Sequence, residues 1–212
     1  WYNDLRPQND PKKQSYSITF PDFKDVEKVR TIDNLTKIRN HLNEISCRKK
    51  TNRNILLASW NIKQFGFLKH RIPESYFYIA EIISNFDLVA IQEVKKSLKD
   101  LEILMKLLGS DWKYLINDVT EGNAGNSERF AYVYNSRRGE LSGLAGEVII
   151  WKELFEEGEE AIEIKRSPYL TGFRAGWKSF ALLSVHLQPD KDGKEFRKKE
   201  VELLLKALAE KK

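Results

Sequence analysis

Cysteine is almost missing from these 212 residues: Cys47 is the single example, so no disulfide can close within the chain. A reducing, cytoplasmic setting is the expectation that follows. Long apolar runs are missing too. None reaches the about 18 residues that a membrane helix needs, so no spanning segment is expected. Methionine occurs once, as Met105, while the chain opens on Trp1 and closes on ELLLKALAEKK, a helical run with nothing after it. Both ends therefore read as cut from a longer sequence, and an upstream leader stays open. Repeats and low-complexity tracts are also lacking. What is present is an apolar fraction of 41% with 11% aromatics, enough for a packed core. Lys and Arg exceed Asp and Glu by five, a modest bias toward polyanionic partners such as nucleic acid or phosphorylated lipid.

Residues 1–20 are polar, carry two prolines and show no period, so they read as an extended arm. Between Asp22 and Ile45 apolar residues recur at three- and four-residue steps, from Phe23 and Val26 to Leu42 and Ile45. That spacing predicts an amphipathic helix broken near Thr31, or a helical hairpin. A basic, turn-rich link then leads to Ile55, and residues 1–54 are expected to form an extension to a domain over 55–212. In that domain the spacing predicts a strand at Ile55–Trp60 and a helix from Pro73 to Asn85. A second strand follows in FDLVAIQEV, then a helix capped by Ser97 and stopped by Gly109. WKYLIND, RFAYVYN, GEVII, AIEIK, YLTGFRAGW and KSFALLSVHL read as further strands, and Glu195–Lys212 as a closing helix. The order argues an α+β layered fold with largely buried sheets.

Three of the most apolar strands end on polar residues. LLASWN finishes on Asn61, where the chain is expected to leave its sheet; LVAIQE finishes on Glu93; FALLSVH finishes on His186. A carboxylate directly after an apolar run is costly to bury unless paired. An amide oxygen and a carboxylate at neighbouring strand ends suit a hard cation such as Mg²⁺ or Ca²⁺ rather than zinc.

SWNIKQFG, DLVAIQEV, ERFAYVYN, RSP and SVHLQP follow the order and rough spacing of the endonuclease/exonuclease/phosphatase superfamily, which this sequence resembles over about Ile55 to Lys212. The resemblance implies a DNase I-like layered α/β sandwich preceded by the N-terminal helical extension. It implies divalent-metal ligands at Asn61 and Glu93, with Mg²⁺, Mn²⁺ or Ca²⁺ as the ion. It also implies a site histidine at His186, oriented by Glu128, and a phosphate-facing arginine at Arg166. Asn126, in the glycine-rich EGNAGNSER, is the best candidate for a substrate-contacting loop residue. The implied activity is phosphoester hydrolysis by a monomer. Nuclease cleavage of nucleic acid is favoured over a phosphatase acting on a lipid or sugar phosphate, and over a binding module that has lost its chemistry.

The superfamily's G-D-x-N strand end and late S-D-H do not occur here. The domain is therefore expected to be incomplete at its C-terminal part, with its water-activating aspartate lacking and the fragment inactive or nearly so. Asp190 and Asp192 read as turn residues. Tyr132 and Tyr134 fall inside a strand, Trp60 reads as core, and the basic pairs Arg137–Arg138 and Arg197–Lys199 read as solvated charge or a polyanion groove.

Overall fold

Two strands show how the sequence builds layers. In LVAIQEVK and ERFAYVYN successive side chains point to opposite faces, and both faces are apolar, so each strand must be covered on two sides. The computed structural model describes residues 2–6, 18–45, 51, 53–66, 71–118, 128–148, 167–187 and 193–209. In chain order its elements are α1 (Asp25–Ile45), β1 (Leu57–Phe65), α2 (Pro73–Ser84), β2 (Leu88–Lys95), α3 (Lys99–Leu108), β3 (Trp112–Ile116), β4 (Glu128–Asn135), β5 (Glu140–Glu147), β6 (Tyr169–Ala175), β7 (Lys178–Ser184) and α4 (Lys194–Ala209).

The strands form two sheets, β1-β2-β4-β3 and β5-β6-β7. Within the first, β1 and β2 run parallel while β4 is antiparallel to both β2 and β3. Val89, Ile91, Ala131 and Val133 face α2 and α3, in one cluster with Tyr76, Phe77, Ile83, Leu101 and Leu104. The opposite positions, Leu88, Phe130, Tyr132 and Tyr134, meet Tyr169 and Phe173 of the second sheet. A third cluster, Val148, Leu203 and Ala207, places α4 against the outer face of that sheet, over Leu170 and Leu183. The result is helix, sheet, sheet, helix.

At the N-terminus the arm is turned rather than extended where it is described. Asn3–Leu5 make a 3₁₀ turn, and the buried Asp4 carboxylate accepts from the Thr19 and Phe20 N–H groups at 2.7 and 3.2 Å. Helix α1 is continuous through Thr31, neither broken nor a hairpin, because the Thr31 hydroxyl bonds back to the Glu27 carbonyl at 2.7 Å and needs no break. Its apolar steps lie only partly on the packed face: Leu35, and Phe23 just ahead of the helix, join the main core. Val26, Val29 and Ile32 are exposed, while Arg30, Asn34 and Arg39 meet Glu74, Tyr78 and Glu81 of α2. Arginine's planar fork suits both carboxylates, and along that flank the polar seam overrides the hydrophobic period.

Four further expectations shift. Strand β1 begins later and runs on to Phe65, so Asn61 sits in register opposite Gln92 rather than leaving the sheet. Helix α3 begins at Lys99, which puts Ser97 outside the cap position; acidic Asp100 and Glu102 occupy its first turn instead. The strand expected at GEVII lies earlier, over Glu140–Glu147, exposed along its whole length and held by pairing with β6. AIEIK lies outside the described residues. Arg137 and Arg138 are paired rather than merely solvated: Arg138 clamps buried Asp87 at 3.0 Å and Arg137, largely exposed, pairs with Asp111 at 3.0 Å. Among the described residues no helix is long and apolar enough to cross a membrane.

Asp100 fixes the end of β1. It is fully buried and accepts from the Gly66 N–H at 2.9 Å, the Tyr76 hydroxyl at 2.8 Å and Arg71 Nε at 3.3 Å. Removing it strands three donors, one of them the half-buried Arg71 guanidinium. Asp100→Ala is expected to lower stability by roughly 3–5 kcal/mol in urea unfolding, and a loss under about 1 kcal/mol would contradict this.

Candidate active site

Strands β1 and β2 separate locally where the site residues stand. Asn61 pairs with Gln92, but the next matched pair is Phe65 with Val94, so Ile62, Lys63 and Gln64 face Glu93 alone. The β2–β4 register shifts at the same place, between Ile91 and Val94. Bulges re-aim side chains, and this one is strained: Glu93 has φ +60° and Gln64 φ +50°, both in the left-handed region without being glycine. Such a conformation costs on the order of 1–3 kcal/mol per residue and persists only when its surroundings enforce it.

The surroundings are specific. Asn61 Nδ2 donates to Glu93 Oε1 at 2.8 Å, and the Gln64 N–H donates to Glu93 Oε2 at 3.1 Å. Gly66, with φ +126°, lets β1 press against β2, since a Cβ there would run into the Ser97 carbonyl oxygen and Lys95 Cβ. Burial works against an ionised Glu93. The Asn61 amide, the Gln64 N–H and the nearby His186 and Lys95 outweigh it, and the carboxyl sits below the ordinary glutamate range.

The second half of the cluster comes from β2, β4 and the segment after β7. Lys95 Nζ donates to Glu128 Oε1 at 3.0 Å, and the other Glu128 oxygen lies 3.8 Å from His186 Nδ1. That separation exceeds a hydrogen bond but is within ion-pair reach of a protonated imidazole. Asn61, Glu93, Glu128 and His186 are thus brought to one edge of the two sheets. Arg166 and Asn126 lie outside the described residues, as do Asp190 and Asp192. Among the described residues no group of three or more His, Cys, Asp and Glu side chains forms a ready-made metal cage. An amide oxygen and one carboxylate nevertheless fit a magnesium-like ion, which keeps several waters and takes few protein ligands.

Sequence reasoning missed Lys95, Arg71 and Asp100. Lys95 had no dependable signal, because the bulge at Glu93 breaks the alternation that would assign its face, and Val94 joins Val89 and Ile91 in one core. Arg71 reaches the Lys63 carbonyl at 2.8 Å and lies 5.3 Å from the centre of the Phe65 ring, contacts without a local sequence signal.

No protein-family model matches the chain. It is 24% identical over 155 residues to mouse deoxyribonuclease gamma, a match covering 66% of this chain and 46% of that protein. It is 29% identical over 138 residues to a deoxyribonuclease of Thioalkalivibrio sp., covering 62% and 34%. The chain thus spans about half the length, or less, of these curated relatives. An endonuclease/exonuclease/phosphatase family protein from Bacteroides thetaiotaomicron superposes with TM-score 0.54 at 17% identity, covering 74% of this chain and 58% of its own. The chain has the DNase I-like fold. Zebrafish (D. rerio) TDP2, solved with a single-strand DNA product, shares that fold with TM-score 0.52 at 12% identity, over 74% of this chain and 56% of its own.

Because the folded Glu93 carboxyl is held down, its ionised form contributes stability above about pH 4.3 that is lost as pH falls through the folded value. Asn61→Leu removes its first donor, so the ¹³C-NMR titration midpoint of Glu93 is expected to rise. An unchanged or lower midpoint would show that the amide does not hold the carboxylate.

Proposed function

We propose that this protein is a divalent-metal-dependent phosphodiesterase acting on nucleic acid, with Asn61 and Glu93 as metal ligands and His186, oriented by Glu128, as the proton-handling residue. The observation that carries it is the 2.8 Å Asn61–Glu93 contact across a doubly strained bulge, beside the Glu128–His186 pair. A strained backbone that sets an amide and an ionised carboxylate side by side is hard to explain by packing alone. The deoxyribonuclease names of the curated relatives support nucleic acid as the substrate class.

Each chain group has a task in this scheme. With Asn61 Nδ2 donating to Glu93, Oδ1 is the amide atom that turns to a cation, while Glu93 supplies negative charge. A bound Mg²⁺ or Mn²⁺ would supply Lewis-acid stabilisation of charge on a phosphate oxygen. Glu128, held through one oxygen by Lys95, presents its other oxygen to His186 Nδ1 and so directs Nε2 toward the scissile phosphate. A proton held at Nε2 serves the phosphoryl or leaving oxygen. Arg166 and Asn126 complete the proposal as substrate contacts. With no G-D-x-N or S-D-H in the sequence, these 212 residues are expected to turn over slowly, so activity is best read under single turnover with protein in excess.

Two measurements test this. Glu93→Gln is expected to weaken Mn²⁺ binding at least tenfold by calorimetry, and unchanged affinity would remove the metal site. His186→Ala is expected to slow Mg²⁺-dependent plasmid cleavage by about 10²–10⁴-fold. Hydrolysis of phosphoinositides or sugar phosphates with plasmid DNA left intact would overturn the nuclease assignment.

A further inference from the structure

At the opposite end of β1 and β7 from Asn61 and His186 lies a cavity of about 440 Å³. Arg53, Asn54, Arg138, Trp177, Lys178 and Phe180 contribute to its lining, which among the described residues holds three cationic side chains and no acidic one. Arg138 is committed to Asp87 and to the carbonyls of Thr51 and Asn54, leaving Arg53 and Lys178 to supply the cavity's positive field. Trp177 is the unusual member. Ala175 pairs with Lys178, so Gly176 and Trp177 form a two-residue hairpin turn with Gly176 at φ +59°, a geometry that glycine allows. The turn lifts the indole away from both cores, and Trp177 is 88% exposed. Lys178 Nζ stands 5.0 Å from the ring centre.

An indole held in solvent beside two cations is poor chemistry for a solvated loop. It is good chemistry for a base with its phosphates, since stacking tolerates any base and the cations neutralise the backbone. We propose that this cavity is a second nucleic-acid contact, stacking one base on Trp177 and setting the adjoining phosphates against Arg53 and Lys178. The choice of a strand over a lone nucleotide rests on the nuclease reading above. Strands β1 and β7 both run from this cavity to the candidate active site. The seven residues from Ile55 to Asn61 set the two roughly 20 Å apart at the rise of an extended chain. A strand anchored here is gripped well away from the chemistry, which adds affinity and leaves the reacting phosphate to the other end.

The test titrates the 212-residue protein with oligothymidylate in EDTA, following tryptophan fluorescence. Binding is expected to quench the indole signal. Trp177→Ala is expected to remove most of that quench and weaken Kd roughly tenfold. The double variant Arg53→Ser with Lys178→Gln is expected to flatten the slope of log K against log salt by about 1.4, two phosphates at ~0.7 each. Thymidine monophosphate in place of the oligomer is expected to quench only at far higher concentration; equal affinity would identify a nucleotide pocket and overturn the strand contact. An unchanged Kd in both variants would also overturn it. Asn61→Ala is expected to keep the quench, so this contact and the hydrolytic assignment can fail separately.

Discussion

The hydrogen bond between Asn61 and Glu93 is the constraint on which the site's geometry depends. Two parallel strands normally keep an even ladder, with each side chain sent to a face by simple alternation. Here Glu93 takes a left-handed conformation and three residues of β1 oppose it, which swings its carboxylate sideways under the Asn61 amide and the Gln64 N–H. Donors on both oxygens keep the group ionised although burial opposes that. The strain and the bonds support each other: without the bulge the donors miss the carboxylate, and without the donors strained Glu93 loses the contacts made to both its oxygens.

That local arrangement is sustained by polar anchors at both ends of the strands. At the site end, Asp100 ties Gly66, Tyr76 and Arg71 together and holds the chain as it leaves β1. At the far end, Asp87 takes the Leu56 N–H at 2.8 Å and the Arg138 guanidinium, locking the entry to β1 beside β2. Between them lie apolar faces on both sides of the sheet. A buried carboxylate in such a place is tolerable only with its partners in position, so each anchor also specifies register.

What could be read from residues alone follows this physics. Strands β2 and β4 were legible because a fully buried strand needs apolar side chains on both faces, and α2 because Pro73 and the spacing of Tyr76, Ala80 and Ile83 are local signals. Asn61, Glu93 and His186 stood out as polar ends on apolar runs, with Glu128 supplied by resemblance, and the four side chains do gather. Strand β5 was read too late because ELSGLAGE is exposed throughout, and its pairing to β6 is a tertiary fact. The course of α1 was only half legible. Leu35 follows the hydrophobic spacing into the core, while the helix's flank meets α2 through the Arg30–Glu74 and Arg39–Glu81 pairs, which a search for apolar spacing does not see. The strained bulge had no signal at all, since positive φ at a glutamate is enforced by neighbours distant in sequence.

Paramagnetic relaxation offers the most direct check that these groups surround one cation. Substoichiometric Mn²⁺ added to ¹⁵N- and ¹³C-labelled protein should broaden the Asn61 side-chain amide, the Glu93 carboxyl and the His186 imidazole together, ahead of other resonances, with Mg²⁺ reversing the effect. Broadening centred on other carboxylates, with those three signals sharp, would contradict it.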